Sequence, residues 1–311
     1  MKKVVIVIGP TASGKTDYTL KNFSDDRYAA INVDSMQVYE ELSIGNNKGK
    51  LVKQDREVEL SRQKVISLAK SYCYPGSNLI FWGFNLCKPC RCLNVADFQQ
   101  IAREIVEEII KEGKTPVLVG GSGLYLASVV YDYHFNSYGS HAVKEKIITA
   151  YGDNVSKLED ELKRVGFNLN NLNHSDRNNP RRLQNVLAKE VGSSSLQTRT
   201  NSSRTKFYQF EVRSMPIDLD SYKQILRDRV LQMMDSGLIA EVERLIAKYG
   251  FENICPQIKS ASGYKQVFSW LETRGSTTKV ENNSELVEEI VNSHYRLAKK
   301  QLTWNRKYFP N

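Results

Sequence analysis

Gly9-Pro-Thr11-Ala12-Ser13-Gly14-Lys15-Thr16 holds the residues best suited to chemistry. The glycines let backbone N–H groups converge on phosphate oxygens at a helix N-terminus, where the macrodipole also favours negative charge. Lys15 adds a point charge on the phosphates, and the Thr16 hydroxyl can hold Mg²⁺. The loop follows Val4 to Ile8, a β-branched run that reads as a strand buried on both faces, and it opens a helix through Phe23. This setting predicts a diphosphate or triphosphate site, with a plain structural turn as the bland alternative.

Asp34 comes second. It ends another short apolar run, Ala29 to Val33, so in a parallel sheet it stands at the carboxyl edge where ligands bind. A carboxylate there can ligate Mg²⁺ or take a proton from a nucleophile, or it can simply cap a helix through Tyr39. Gly120-Gly121-Ser122-Gly123 closes a third buried strand, Thr115 to Val119, at the same edge. Ser122 can donate a hydrogen bond to a ligand there, unless the segment is only a turn.

The elements that must position these residues follow from periodicity. Phe98, Ile101, Ile105 and Ile109 recur at helical spacing within a helix over Val95–Lys111, with Gly113 at its C-terminal end. Strand, helix, strand and helix in alternation predict an α/β fold, an open parallel sheet flanked by helices. Between Ser43 and Cys92 the pattern is weak and rich in Gly and Pro, which predicts loops and one helix from about Lys53 to Lys70. From Tyr131 the chain turns to polar helices with Asn/Ser-rich joints. Asn179-Pro180 reads as an N-cap with proline at the first helical position, and Gly192 follows the far end. Phe207 to Val212 then reads as a strand returning to the core. The expected organisation is a core of residues 1–131 and 203–311 with a helical insertion at 132–202.

The 311 residues carry a net charge of +9. Eight basic and two acidic side chains lie between Arg177 and Arg213, and five basic and no acidic ones between Tyr295 and Asn311. In the second stretch they interleave with Tyr295, Trp304, Tyr308 and Phe309, as on a nucleic-acid surface, although a solvated face has the same composition. No apolar run approaches the roughly 18–20 residues of a membrane span, and a glycine-rich loop stands where a leader would need a cleavage site. The expectation is a cytoplasmic protein with no membrane contact. Cys87, Cys90 and Cys92 cluster, with Cys73 upstream, but the spacing matches paired zinc ligands poorly and predicts reduced thiols in a loop.

Seven blocks in order resemble the tRNA dimethylallyltransferase (isopentenyltransferase) family. They are Gly9 to Thr16, Asp34-Ser-Met-Gln-Val-Tyr39, Val95-Ala-Asp-Phe98, Pro116 to Tyr125, Gly237-Leu-Ile-Ala-Glu-Val242, Ser262-Gly-Tyr-Lys-Gln266 and Ala298 to Trp304. The resemblance implies a P-loop NTPase-like core with a helical subdomain that grips the tRNA anticodon stem-loop. It implies dimethylallyl diphosphate as donor, Mg²⁺ as cofactor, and the N6 amine of the adenosine 3′-adjacent to the anticodon as acceptor. Carried over, Gly9, Thr11, Ala12, Ser13, Gly14, Lys15, Thr16 and Arg229 hold the diphosphate, and Thr16 the metal. Asp34 is the base, and Ser122 stands near the reacting centre where threonine is usual. Gln37, Arg181, Arg182, Lys299, Lys300 and Gln301 fall to tRNA. A monomer is expected.

The chain also departs from that pattern. Gly45-Asn-Asn-Lys-Gly49 replaces Gly-Thr-Ala-Lys-Pro, and Asn78-Leu-Ile-Phe81 replaces His-Leu-Ile-Asp. Ile225 stands where arginine is common, and His294-Tyr295 where Thr-Arg is common. A P-loop kinase acting on a small-molecule hydroxyl would explain the loop and Asp34 but not the later blocks. A non-catalytic tRNA-binding homologue would leave the intact loop and Asp34 without a task. Transfer onto a free adenine nucleotide would leave the basic insertion without one.

Overall fold

A computed structural model of the chain describes residues 2–60, 67–133, 141–192, 206–274 and 284–310. The first part runs β1 (Lys3–Ile8), α1 (Lys15–Asn22), β2 (Tyr28–Asn32), β3 (Val52–Glu59), β4 (Leu68–Cys73), β5 (Phe81–Trp82), α2 (Val95–Lys111), β6 (Thr115–Gly120) and α3 (Gly123–Val130). Four helices follow: α4 (His141–Tyr151), α5 (Val155–Arg164), α6 (His174–Arg177) and α7 (Pro180–Gly192). The last part runs β7 (Gln209–Ser214), α8 (Leu219–Asp235), α9 (Leu238–Tyr249), α10 (Pro256–Lys259), α11 (Tyr264–Arg274) and α12 (Ser284–Tyr308).

The strands form one sheet in the order β3-β4-β5-β2-β6-β1-β7. From β5 to β7 every pairing is parallel, with Val5 opposite both Val117 and Glu211 and Ala30 opposite Val117. β1 and β6 sit inside the sheet, and from Val4 and Pro116 onward all their residues are buried. Strands covered on both faces must be apolar throughout, which is why these two are uninterrupted Val/Ile/Leu runs. α2 covers one face through Phe98, Ile101, Ile105 and Ile109, each 2% exposed or less. Burying such a side chain stabilises the fold by about 1.5–3 kcal/mol. The Asn94 side chain caps this helix, accepting from the Ala96 and Asp97 amides at 2.9 Å each.

The helix expected from Lys53 to Lys70 is not formed. β3 and β4 pair antiparallel instead, with a register shift between Lys53 and Glu57, and β4 pairs antiparallel with β5. Alternate residues Gln54, Arg56 and Val58 are half-buried while their neighbours are exposed, so the period is two. The core is therefore a mixed rather than purely parallel sheet, with the hairpin extending one edge.

The chain separates into two compact units, Met1–Tyr133 with Arg204–Asn311, and His134–Ser203. In the second, α4, α5 and α7 close over Ile147, Leu158, Leu162, Leu183 and Leu187. Its asparagines start the helices: Asn154 accepts from Lys157 N at 3.0 Å, Asn173 from Asp176 N at 2.9 Å and Asn179 from Arg182 N at 3.2 Å. Asn-rich joints are thus helix N-caps.

The aromatic residues near the C-terminus pack against the core, Phe309 fully and Tyr295, Trp304 and Tyr308 in part. Phe309 is 2% exposed and stacks on Tyr131, while Trp304 stacks on Tyr308 at 4.3 Å and lies against Gly123. Within α12, helical spacing turns Trp304 and Tyr308 partly toward the core and leaves Lys299, Lys300, Arg306 and Lys307 exposed.

Candidate active site

The segments between β1 and α1, after β2, and between β6 and α3 meet at the carboxyl edge of the sheet. The first two, with Val119 and Gly120 at the end of β6, line a cavity of about 570 Å³ that takes in Thr11 to Thr16, Asp34, Gln37, Asn46 to Gly49, Tyr74, Arg229 and Gln301. The phosphate loop turns through Ala12 and Gly14, both at positive φ (56° and 75°). A side chain at Gly9 would lie 2.5 Å from Ser13 Oγ and 2.9 Å from Met215 Cβ, so only glycine fits there. Two distant side chains hold the loop. Gln301 Oε1 accepts from Thr11 N at 2.9 Å, and the Tyr222 hydroxyl donates to the Thr11 carbonyl.

Three cations line this cavity. Lys15 Nζ donates to the Pro10 carbonyl at 2.6 Å, and burial pulls its pKa down to about 8; Asp34 opposes that shift and Arg229 adds to it. Arg229 is lowered by burial, and its Nε is sealed from solvent with no hydrogen-bond partner among the described residues. Lys48 is 3% exposed and donates to the Tyr39 carbonyl and Asn85 Oδ1, both at 2.5 Å. Burial lowers it to about 7, against the pull of Glu241, Glu40 and Asp34. Lys48 is buried and Lys15 and Arg229 are half-buried, and desolvated cations gathered in one cavity favour an anion between them. Lys48 escaped the sequence reading, although it stands in the Gly45–Gly49 block.

Asp34 follows β2 by two residues. No helix runs to Tyr39: residues 35–38 are turns, and Tyr39 bridges to Cys87. The Asp34 carboxylate does cap, accepting from Met36 N at 2.8 Å, but it caps a turn. Ser122 Oγ accepts from Ser35 N at 3.0 Å and donates to Ser35 Oγ at 3.2 Å, so it braces the segment after Asp34.

Asp34 and Gln301 also line a second cavity of about 480 Å³, bounded by Ser122, Tyr125, Gln257, Ser260, Ser293, Arg296 and Lys300. The residues expected to serve tRNA therefore divide. Lys300 lines this second cavity, and Lys299 is exposed beside it in sequence with its Nζ over the Tyr295 ring at 4.6 Å. Gln37 lies in the first cavity, its amide donating to the carbonyls of Asn46 and Asn47. Arg181 and Arg182 are exposed on α7, where Arg182 pairs with Asp176.

The expected reduced cysteine loop is corrected in part. Cys92 forms a disulfide with Cys255, 163 residues away, while Cys73, Cys87 and Cys90 are free. The fold lays the turn before α10 on this loop, where Cys255 N donates to the Pro89 carbonyl at 2.9 Å. Among the described residues no cluster of three or more His, Cys, Asp or Glu side chains is arranged for a metal. The Thr16 hydroxyl and Asp34 carboxylate in one cavity are an all-oxygen pair, and Mg²⁺ commonly takes only one or two protein ligands beside phosphate and water.

A family model described as IPP transferase matches residues 77–308, more than half of the chain. The chain belongs to the tRNA dimethylallyltransferase family. It is 30% identical over 314 residues to the tRNA dimethylallyltransferase of Anoxybacillus flavithermus (strain DSM 21510 / WK1), covering 99% of this chain and 89% of that protein. Against the enzyme of that name from Bacillus subtilis (strain 168) it is 30% identical over 309 residues, covering 97% and 87%. The crystal structure of the tRNA delta(2)-isopentenylpyrophosphate transferase of Staphylococcus epidermidis shares the fold with a TM-score of 0.61 at 23% identity, covering 98% of this chain and 90% of that one. A eukaryotic dimethylallyltransferase acting on tRNA superposes with a TM-score of 0.70 at 20% identity, covering 98% and 70%. These two likenesses concern the fold. Among the described residues no helix is long and apolar enough to cross a membrane.

Proposed function

We propose that the protein transfers the dimethylallyl group of dimethylallyl diphosphate to the N6 amine of the adenosine 3′-adjacent to the anticodon of tRNA, acting as a cytoplasmic monomer. The observation that carries this reading is that Asp34 lines both cavities. One cavity holds the phosphate loop and its cations and suits a diphosphate. The other, bordered by Arg296 and Lys300, suits the acceptor strand. A reaction between two substrates needs such a junction, with a proton acceptor at it.

In this reading the loop amides, Lys15 and Arg229 stabilise the charge that gathers on the diphosphate as the allylic C–O bond breaks. Thr16 would hold Mg²⁺, which would neutralise part of that charge when bound. Asp34 orients the amine and accepts its proton once the new C–N bond forms. Ser122 and Ser35 keep the Asp34 turn in place. The adenine leaves its stack to reach the carboxylate, which an unpaired anticodon loop permits. The arginines of α7 supply phosphate contacts to the stem.

The test is transfer itself. Protein, tRNA, Mg²⁺ and labelled dimethylallyl diphosphate should place label in the RNA, and Lys15→Ala should abolish this while the protein stays folded. Label on free adenine nucleotide alone, or ATP hydrolysis without any label in RNA, would overturn the reading.

A further inference from the structure

Glu241 is a carboxylate on α9 that is 2% exposed and lines neither of the two cavities. It nevertheless accepts five hydrogen bonds. Oε2 takes those of Ser43 N (2.8 Å), Ser43 Oγ (3.1 Å) and Ile44 N (2.9 Å), and Oε1 those of Gly45 N (3.1 Å) and the Tyr264 hydroxyl (2.8 Å). A carboxylate offers about four lone-pair sites, so this one is saturated. Three consecutive backbone amides pointing at one anion form a nest, the device that elsewhere holds phosphate. Here an internal side chain fills it.

The segment so held continues into Asn46, Asn47, Lys48 and Gly49, which line the phosphate-loop cavity. Its far end is pinned by Lys48, whose ammonium reaches back to the Tyr39 carbonyl and Asn85. Its middle is pinned by Gln37, whose amide donates to the Asn46 carbonyl at 3.0 Å. At the Glu241 end there is no slack. A Cβ on Gly45 would lie 2.6 Å from Tyr264 Cζ and 2.9 Å from Leu238 Cδ1. The ring of Tyr264 thus lies directly beneath the segment while its hydroxyl shares the same carboxylate.

We infer that Glu241 is a positioning residue for the donor: by filling the amide nest of residues 43–45 it fixes the Asn46–Gly49 wall of the phosphate-loop cavity in the shape that accepts dimethylallyl diphosphate. This rests on the donor reading given above. Glu241 touches no substrate and acts through that wall. Without its charge, three amide donors and the Tyr264 hydroxyl lose their acceptor, and the wall relaxes away from the donor. A side-chain amide cannot replace the carboxylate. Gln presents one acceptor oxygen, and its NH₂ group meets donors.

The experiment compares the full chain with Glu241→Gln, measuring dimethylallyl diphosphate binding by calorimetry without tRNA, then KM and kcat for transfer, with circular dichroism as the folding control. Hydrogen bonds to a buried charge are strong enough that donor affinity should fall about tenfold or more, with donor KM rising in parallel. The KM for tRNA, and kcat at saturating donor, should change by less than about threefold, because the loss is in ground-state binding. Formate should restore much of the donor affinity in Glu241→Ala by refilling the nest. If Glu241→Gln does not fold, Tyr264→Phe decides, and its donor KM should still rise. Unchanged donor affinity in a folded Glu241→Gln, or a loss confined to kcat, overturns the inference. Absence of dimethylallyl diphosphate binding by the unaltered protein would instead overturn the donor reading.

Discussion

His294 on α12 is 3% exposed, and its Nδ1 has no hydrogen-bond partner among the described residues. Burial, and after it the nearby charge of Arg229, lower its pKa from 6.5 to about 4, while a hydrogen bond to the Ser262 backbone opposes the shift. The unfolded chain protonates the same imidazole near 6.5. Between pH 6.5 and 4 the unfolded state therefore binds a proton that the folded state refuses. The resulting contribution to stability is complete above pH 6.5 and drains away as the pH falls toward 4. At 1.36 kcal/mol per pH unit the gap corresponds to about 3 kcal/mol, a large share of a typical 5–15 kcal/mol. The perturbation is His294→Gln, which keeps a polar side chain but does not titrate. Urea unfolding of both proteins from pH 4.5 to 7.5 separates the effect, since the carboxylates they share cancel in the difference. The variant should gain on the unaltered protein steadily below pH 6.5. Parallel pH curves would mean that His294 takes up its proton in the folded state as readily as in the unfolded one, and would refute the reasoning.

Asp34→Asn keeps the hydrogen bond to Met36 N but cannot accept a proton, so kcat should drop by about 10²–10⁴ with donor and tRNA affinities little changed. Full activity would leave Asp34 as a turn cap, and recovery at high Mg²⁺ would make it a metal ligand. Arg181→Ala with Arg182→Ala should weaken tRNA binding and lower the slope of log affinity against log salt by roughly 1 per lost phosphate contact; unaltered affinity would identify a solvated face. The chain denatured without reductant should titrate three thiols, those of Cys73, Cys87 and Cys90, and five would break the assignment of the Cys92–Cys255 bond.

The phosphate loop, Asp34 and α2 were legible in the sequence because each is local. A buried strand, a glycine loop and a helix start lie within some twenty residues, and α2 carries its whole apolar stripe in one stretch. The hairpin of β3 and β4 was not legible, since Val52–Glu59 alternates between exposed and half-buried positions with almost no apolar residues to mark the period. Contacts across long separations left no local mark either. Gln301 holds Thr11 from 290 positions away, Cys92 bonds Cys255 across 163, and Glu241 catches the amides of residues 43–45 from nearly 200. The packing of the C-terminal aromatics was not legible for a related reason. Composition joins them to the basic residues around them, whereas in the fold Phe309, just past the end of α12, is buried against Tyr131.

The bond from Gln301 to the phosphate loop makes α12 a shared mechanical part. This helix of 25 residues is about 37 Å long, carries Arg296 and Lys300 at the second cavity, and grips the first through one side chain. A rod that touches two sites couples them to the extent that ligands at each displace it. Whatever displaces it on one side does work on the other, and the exchange is symmetrical: a factor by which acceptor occupancy alters donor affinity must equal the factor by which donor occupancy alters acceptor affinity. Order of substrate addition in such a protein is then a matter of rates, because the thermodynamic coupling is the same along either route.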